Sequence, residues 1–317
     1  MARTAMPKMS WDKYLLRPVQ NAPPGILPVF IYGTAWKKDR TTDLVHRALS
    51  VGFRAVDTAA QPKHYREDLV GEGIRKAIRD GIVRREDLHV QTKFTSVHGQ
   101  DPDNMPYDPN ISVTEQAHAS IMSSLEHFRP SDASESVNEA YIDMLILHSP
   151  LATMSQTLEA WSVFETYVPH RIRNLGISNC TLPLLRELSS LVQVKPAVVQ
   201  NRFYVGTQFD VPLRSYCRDN QILYQSFWTL TANPELIQSD TVQLLADRAE
   251  ISPAAALYCL VLGLGNTTLL NGTSNRSHME ADLTAPARVE KFSQEHPNMW
   301  QRILEDFQQQ TGDHVTL

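Results

Sequence analysis

The stretch FRAVDTAAQPKHY, residues 53–65, is the part of the sequence that decides the fold. Ala55 and Val56 are small and apolar, as in a buried strand, and Asp57 follows them directly. A carboxylate at the end of an apolar strand is costly unless another group pairs with it. The stretch therefore predicts a polar site at the end of a strand, with Tyr65 in the loop that follows.

Two further strand-like segments end in the same way. LHVQTKF (88–94) carries Lys93 near its end, and YIDMLILHSP (141–150) carries His148. In a parallel (β/α)8 barrel the catalytic groups lie at the C-terminal ends of the strands. Three consecutive strands that end in an acid, an ammonium and an imidazole therefore predict one shared site on such a barrel.

Strands and helices alternate along the rest of the chain. The predicted strands lie near 27–32, 53–57, 88–93, 141–147, 172–177, 196–200, 221–226 and 267–271, and the helices near 40–51, 66–80, 112–128, 155–168, 181–192, 209–219 and 235–262, the last in two pieces. Eight strands, each followed by a helix, predict an α/β fold of the (β/α)8 TIM-barrel class. No linker divides the chain, so residues 1–317 are predicted to form a single domain. Within it, residues 1–25 form an N-terminal arm and residues 285–317 a C-terminal segment near the pocket.

Composition restricts the class of function. The chain has 317 residues, 42% of them hydrophobic, and a net charge of −5 without a basic block. We therefore expect no nucleic acid and no anionic membrane among its partners, and nothing demands an oligomer. The three cysteines form no CxxC pair, so neither a disulfide framework nor a metal site is predicted. No signal-peptide core or membrane-spanning run is found, so a cytoplasmic location is expected.

The four side chains at the predicted site can deliver a proton to a developing alkoxide. An ammonium near a phenol favours the phenolate, so Lys93 is expected to lower the pKa of Tyr65 and make it a better proton donor. Asp57 can keep Lys93 charged, and His148 can position a carbonyl oxygen. This set has no hydride source, so a cofactor has to provide one.

Polar groups at the ends of later strands indicate where a cofactor binds. The loops after strands seven and eight of a TIM barrel often bind phosphate at a helix N-terminus. Here GTSNRSHMEADL (272–283) follows the last strand, and amide or hydroxyl side chains end three others. The groups expected to take part are Ser178, Asn179, Gln200, Ser226, Gly272, Thr273 and Ser274.

Together these motifs resemble those of the aldo-keto reductase family. The matching motifs are GTAW (33–36), VDTA (56–59), VGEGIR (70–75), REDLHVQTKF (85–94), YIDMLILHSP (141–150), LGISN (175–179) and GTSNRSHMEADL (272–283). The resemblance implies that Tyr65 is the acid, that Lys93 and Asp57 tune it, and that His148 orients the carbonyl. It also implies NADPH as the cofactor, NADH not being excluded, bound by Gly33, Thr34, Asp57, Ser178, Asn179, Gln200, Ser226, Phe227, Gly272, Thr273, Ser274, Arg276 and His278.

The pocket for a small-molecule carbonyl substrate is expected beside these groups. The resemblance places Trp36 in it, and Trp228 offers a further aromatic surface. The long loop 94–111 follows Lys93 on the catalytic side, and loops of this length near a site usually shape it. Its side chains His98 and Tyr107 are therefore candidate substrate contacts.

The chain departs from the family pattern at several positions. Tyr65 follows Asp57 by eight residues, a longer interval than the family's. Gln225 stands where the family has a stacking tyrosine, and Ser149 stands where it has a tryptophan. Gly272 and His278 occupy the positions of the lysine and arginine that contact the 2′-phosphate, for which Arg276 could compensate. These departures put the path of the tyrosine loop and the preference for NADPH in question.

Two alternatives stay open beside the favoured function. The favoured function is NAD(P)H-dependent reduction of an aldehyde or ketone to an alcohol, with the proton from Tyr65. A Schiff-base lyase or isomerase could instead use Lys93 on the same fold. A binding module could retain NADPH as a redox sensor with little turnover.

Overall fold

The computed structural model describes residues 11–17 and 25–313. Its strands are β1 Lys13–Leu15, β2 Ile26–Pro28, β3 Phe30–Gly33, β4 Ala55–Asp57, β5 His89–Phe94, β6 Ile142–Leu147, β7 Ile172–Ser178, β8 Val198–Arg202, β9 Leu223–Phe227 and β10 Thr267–Asn271. Strands β3 to β10 form a closed barrel in sequence order, with β10 pairing β3, and every neighbouring pair is parallel. This confirms the predicted (β/α)8 TIM barrel.

The helices surround the barrel. They are α1 Thr41–Val51, α2 Glu67–Arg79, α3 Val113–His127, α4 Met154–Tyr167, α5 Leu182–Leu191, α6 Val211–Asp219, α7 Pro234–Ile237, α8 Asp240–Ala249, α9 Pro253–Gly263, α10 Arg276–Glu295 and α11 Pro297–Thr311. The predicted helix 235–262 is three helices rather than two, because Ser239 and Ser252 each cap a new helix start by accepting a backbone hydrogen bond. The α9 helix is apolar on all sides because α8, α10 and α11 cover it.

Helix α2 shows how the outer layer packs. Val70, Ile74 and Ala77 recur at helical spacing and are buried against the barrel. Two glycines on the same helix allow close approach to its neighbours. A Cβ on Gly71 would lie 1.9 Å from the carbonyl oxygen of His127 on α3, a distance that no real Cβ adopts. The glycines therefore fix the distance between α2 and its neighbours.

The apolar core has two parts, and strand β6 contributes side chains to both. All six of its residues are buried, as expected for a strand that is covered on both faces. Met144 and Ile146 belong to a small apolar cluster, whereas Leu145 and Leu147 belong to the large cluster. Because successive side chains of a strand point to opposite faces, the small cluster lies inside the barrel and the large one lies between strands and helices.

The described parts of the two termini lie on the barrel exterior or across its end. The hairpin of β1 and β2 contributes Leu16 and Leu27 to the inner cluster and thus covers one end of the barrel. Within the C-terminal segment 285–317, the end of α10 and all of α11 pack against other outer helices. Helix α11 also contacts the turn segment Val205–Asp210, and Asp313 accepts a 2.5 Å hydrogen bond from Arg214 on α6. Residues 1–10, 18–24 and 314–317 lie outside the described part.

Candidate functional site

An ion pair joins the ends of β4 and β5 inside the barrel. Lys93 Nζ lies 2.6 Å and 2.7 Å from the two carboxylate oxygens of Asp57 and donates a third hydrogen bond of 2.8 Å to the carbonyl oxygen of Thr58. Both charged residues are 1% exposed. Burial lowers the pKa of Lys93, and the charge of Asp57 opposes that effect. All three N–H groups of the ammonium are therefore directed at acceptors of β4 and its following loop.

A layer of three buried glutamines, Gln91, Gln200 and Gln225, supports this ion pair and is called the glutamine layer below. Gln91 Nε2 and Gln200 Nε2 donate to Asp57 Oδ1 at 2.7 Å and 3.0 Å, and both also donate to Gln225 Oε1 at 3.0 Å. Gln225 Nε2 donates back to Gln91 Oε1 at 3.1 Å. A buried carboxylate is stabilised by such hydrogen bonds, so the layer fixes the position of the Asp57 charge.

Tyr65 lies beside the ion pair in the loop after β4. Lys93 Nζ is 5.0 Å from the centroid of its ring, and the ring of His148 is 6.1 Å away in an edge-to-face arrangement. Among the described residues no hydrogen bond joins the phenol to Lys93 or His148. The expectation that Lys93 lowers the pKa of Tyr65 is wrong for this structure. Burial and the charge of Asp57 raise that pKa, because the ammonium is already paired with the carboxylate.

His148 follows the end of β6 and faces the same region. Its Nδ1 lies 2.7 Å from the hydroxyl oxygen of Thr95, and its carbonyl oxygen accepts hydrogen bonds from Asn179 Nδ2 at 2.9 Å and Ser149 Oγ at 2.8 Å. Burial, with Lys93 and His64 nearby, lowers the pKa of His148 to about 3. The imidazole is therefore neutral, and it can donate one hydrogen bond.

The polar side chains expected to hold the nicotinamide differ in whether they are exposed and already hydrogen-bonded within the protein. Ser178 Oγ donates to the carbonyl oxygen of Gln200 at 2.6 Å, and Ser226 Oγ lies 2.5 Å from the hydroxyl of Thr229. Both amide hydrogens of Gln200 are used inside the barrel, in the glutamine layer, which leaves its Oε1. Asn179 is the exposed member of the set, and it adopts a left-handed φ of 53° at the rim. We therefore expect Asn179 to be the most accessible polar side chain there.

Two of the expected cofactor residues act within the protein. Thr34 holds the end of β4, since its backbone nitrogen and its hydroxyl donate to the carbonyl oxygen of Asp57 at 3.0 Å and 2.9 Å. Gly33 pairs with Asp57 in the barrel register. Thr34 is fully buried, and its hydroxyl holds the backbone of Asp57.

The segment 272–278 leads into α10, as predicted. Asn275 caps this helix by accepting a 2.9 Å hydrogen bond from the backbone nitrogen of Ser277. The polar or glycine positions expected to bind cofactor phosphate are all at least partly exposed, namely Gly272, Thr273, Ser274, Arg276 and His278. Arg276 is already paired with Glu280 at 2.8 Å.

Two cations that sequence reasoning missed lie against this segment. Lys37 donates to the carbonyl oxygen of Gly272, and Arg47 donates to that of Ser274 at 3.4 Å. Burial and the neighbouring Arg40 lower the pKa of Lys37. In the described part of the chain no carboxylate pairs with Lys37 or Arg47, so an anion at this place would meet two available positive charges. Lys37 directly follows the GTAW motif, which is the signal that could have identified it.

Aromatic side chains stand at the rim above the ion pair. Trp36 is 60% exposed and stacks on His64 with ring centroids 3.9 Å apart. Trp228 is 52% exposed and lies 4.1 Å from the guanidinium of Arg202. Phe227 is half-buried beside Trp228. These exposed rings give the rim an apolar surface that suits an organic substrate.

The long loop 94–111 contributes differently from what was expected of it. His98 is exposed on a short turn. Tyr107 is a wrong candidate for a substrate contact, because its side chain is buried and its hydroxyl donates to the carbonyl oxygen of Thr95. No cluster of side chains suited to a metal ion occurs within 11–17 and 25–313. Across the same residues, no helix has both the length and the apolar character needed to cross a bilayer.

Comparison with known proteins agrees with this architecture. A sequence pattern described as the Aldo/keto reductase family matches residues 30–233. An NAD(P)H-dependent D-xylose reductase of Scheffersomyces stipitis is 30% identical over 73% of this chain and 77% of its own length. A second such enzyme, from Candida tropicalis, is 27% identical over 73% of this chain and 76% of its own length.

Solved structures share the fold. An aldo-keto reductase of the silkworm, Bombyx mori, complexed with NADPH, superimposes with a TM-score of 0.69 at 18% identity, covering 90% of this chain and 88% of the silkworm chain. At 18% identity the similarity shows a shared fold and no more. The family pattern covers more than half of the sequence and spans β3 to β9, including the ion pair, Tyr65 and His148. The chain belongs to the aldo/keto reductase family.

Proposed function

We propose that the protein is an oxidoreductase that reduces an aldehyde or ketone to an alcohol with NADPH. Curated relatives that share its family are named as NAD(P)H-dependent reductases, and a Hypocrea jecorina relative is named glycerol 2-dehydrogenase (NADP(+)). The observation that carries the proposal is the buried Asp57–Lys93 pair beside Tyr65 and His148 at one end of the barrel. When bound, the reduced nicotinamide supplies the hydride.

Tyr65 is the proposed proton donor. Its raised pKa keeps the phenol protonated at neutral pH, so it has a proton to give to the alkoxide oxygen that forms from the carbonyl. Loss of this proton leaves a phenolate 5.0 Å, by its ring centroid, from the Lys93 ammonium, and the alkoxide that takes the proton becomes the neutral alcohol. Solvent returns the proton to the phenolate after the alcohol leaves.

His148 is proposed to orient the carbonyl. A neutral imidazole can donate a hydrogen bond to the carbonyl oxygen without competing as an acid. Its low pKa keeps it neutral through the physiological range. The division of roles between Tyr65 as proton donor and His148 as hydrogen-bond donor follows from these opposite pKa shifts.

The residues present suit NADPH at the start of α10. A long helix begins there after a loop whose Gly272 has no atom within 4 Å of a Cβ position, so the loop backbone is open to a ligand. Lys37 and Arg47 supply the positive charge that the family places on the lysine and arginine replaced here by Gly272 and His278. These cations favour a cofactor that carries a 2′-phosphate.

The Schiff-base alternative is disfavoured by the same geometry. A Schiff-base lysine has to be neutral with a free lone pair. Burial lowers the pKa of Lys93 in that direction, but the amine donates to three acceptors, two of them on a carboxylate. An incoming carbonyl would have to displace these contacts in a buried position.

The experiment compares Tyr65→Phe with the matched variant Tyr216→Phe. Tyr216 lies on α6 in the outer layer, so its hydroxyl has no role at the site. With NADPH and a panel of aldoses, aliphatic aldehydes and aromatic aldehydes, we expect Tyr65→Phe to lose at least about a hundredfold in kcat. NADPH affinity, measured by fluorescence quenching, should stay within about twofold, and Tyr216→Phe should behave as wild type.

The outcomes separate the alternatives. A Tyr65→Phe variant with wild-type kcat would refute the assignment of the proton donor. Trapping of a carbonyl adduct on Lys93 by borohydride would favour the Schiff-base function. Tight NADPH binding without oxidation by any carbonyl of the panel would favour the redox-sensing module.

A further inference from the structure

Thr95 contacts the imidazole of His148. It follows β5 directly, two residues after Lys93, and it is 4% exposed. Its hydroxyl oxygen lies 2.7 Å from His148 Nδ1, which is a short hydrogen bond between side chains. Nothing in the sequence pattern distinguishes this threonine, and none of the family motifs ends on it.

The loop 94–111 holds Thr95 in this position. The carbonyl oxygen of Thr95 accepts hydrogen bonds from the hydroxyl of Tyr107 and from Gln100 Nε2, the latter at 3.2 Å. Gln100 Nε2 also donates to the carbonyl oxygen of Ala60 at 2.8 Å, which ties the loop to the segment before Tyr65. Both anchoring side chains come from the loop itself, so the loop fixes the backbone at Thr95.

The side-chain rotamer of Thr95 is fixed as well. A Cβ on Gly99 would lie 2.7 Å from the Thr95 methyl carbon, so that methyl group occupies the space a side chain at position 99 would need. A threonine has only a few allowed χ1 angles. With the methyl group placed against Gly99, the hydroxyl is directed at His148.

The direction of the hydrogen bond follows from counting donors and acceptors. A threonine hydroxyl has one hydrogen, and among the described residues Thr95 Oγ1 has no hydrogen-bond partner other than His148 Nδ1. If Nδ1 carried the proton, the buried hydroxyl hydrogen would have no acceptor, which costs free energy. If the hydroxyl donates to Nδ1, both groups are satisfied and the single imidazole proton resides on Nε2.

We propose that Thr95 is a positioning residue that holds neutral His148 in the tautomer with its proton on Nε2. In this tautomer Nε2–H is the hydrogen-bond donor for the substrate carbonyl oxygen, whereas the other tautomer would present a lone pair to that oxygen and repel it. The proposal rests on the proposed function, since it specifies how His148 performs its part. It also gives the loop 94–111 a task, which is to hold Thr95 against the imidazole.

The test uses the full-length chain with saturating NADPH and two variants. Thr95→Val removes the hydroxyl and keeps the shape, and Thr95→Ser keeps the hydroxyl. The first readout is the tautomer of His148, read from the 15N chemical shifts of its ring nitrogens and assigned by comparison with His148→Gln. We expect a proton on Nε2 in the wild type and in Thr95→Ser, and loss of that single tautomer in Thr95→Val. A merely structural contact would leave this signature unchanged.

The second readout is kinetic. We expect Thr95→Val to lower kcat by about tenfold or more, and Thr95→Ser to stay within about threefold of the wild type. NADPH affinity should stay unchanged in both variants, because Thr95 contacts none of the cofactor residues.

The results separate the inference from the function on which it rests. A proton on Nδ1 in the wild type overturns the inference without any variant, even where Thr95→Val fails to fold. An unchanged kcat in a folded Thr95→Val also overturns it. A wild-type chain that reduces no carbonyl refutes the proposed function, while the tautomer measurement still decides whether Thr95 sets the proton position.

Discussion

Replacement of Asp57 by asparagine tests the buried ion pair. The substitution keeps the shape of the side chain and removes its charge, so the Lys93 ammonium, 1% exposed, would remain without a counter-charge. The asparagine would also turn an NH2 group toward at least one donor, because Lys93, Gln91 and Gln200 all donate to the carboxylate. Breaking a buried pair in this way costs about 3–5 kcal/mol. A typical domain is stable by about 5–15 kcal/mol, so this is a large fraction of the whole.

The loss should depend on pH in a defined direction. Burial lowers the pKa of Lys93 already in the wild type, and removal of Asp57 lowers it further. The unfolded lysine titrates near 10.4, so the unfolded state binds more protons than the folded state at every pH between the lowered value and about 10.4. The free energy of unfolding of Asp57→Asn should therefore rise with pH over this window, and more steeply than that of the wild type.

Urea denaturation followed by circular dichroism measures both effects. The control is the double variant Asp57→Asn with Lys93→Met, which removes both charges and should recover part of the lost stability. A loss below about 1 kcal/mol in the single variant would refute the view that the pair is buried and charged. A double variant that is no more stable than Asp57→Asn would refute the attribution of the loss to an unpaired ammonium.

Three further changes have defined outcomes. Gly71→Ala should cost at least about 3 kcal/mol or prevent folding, whereas Gly272→Ala, which meets no atom within 4 Å, should leave the melting temperature unchanged. Lys37→Met should weaken NADPH binding about tenfold and NADH binding less. Arg276→Met should weaken NADPH binding by a smaller factor, because Glu280 already pairs with that guanidinium. Equal losses of affinity for NADPH and NADH in Lys37→Met would contradict the assignment of Lys37 to the cofactor phosphate. The kcat of reduction should stay level from about pH 5 to about pH 8, because neither Tyr65 nor His148 titrates in this range: burial raises the pKa of Tyr65 and lowers that of His148 to about 3. An inflection in the pH profile of kcat that disappears in His148→Gln would contradict this.

The sequence predicted the barrel because apolar strands and amphipathic helices alternate at periods that local pattern reveals. Asp57, Lys93 and His148 were predictable because each lies at or beside the C-terminal end of a predicted strand. Parallel strands bring their C-terminal ends to one rim, so three such interruptions are necessarily neighbours in space. The family match over residues 30–233 includes these positions.

The contacts around these residues depend on tertiary structure and were not predictable. Gln91 and Gln225 are 134 residues apart in sequence, and only closure of the barrel makes them hydrogen-bond partners. The raised pKa of Tyr65 depends on how deeply its loop is packed and on an ammonium that is already paired. Lys37 meets Gly272 across 235 residues of sequence.

The glutamine layer has a consequence for how this chain can diverge from its relatives. A tyrosine, the family's stacking residue, cannot simply replace Gln225. The replacement would remove Gln225 Oε1, which accepts hydrogen bonds from Gln91 and Gln200, and Gln225 Nε2, which donates to Gln91 Oε1. Each of those amides also donates to Asp57, so the loss would reach the aspartate at the centre of the site. Substitutions at positions 91, 200 and 225 are therefore epistatic, and we expect the three glutamines to be kept or replaced together.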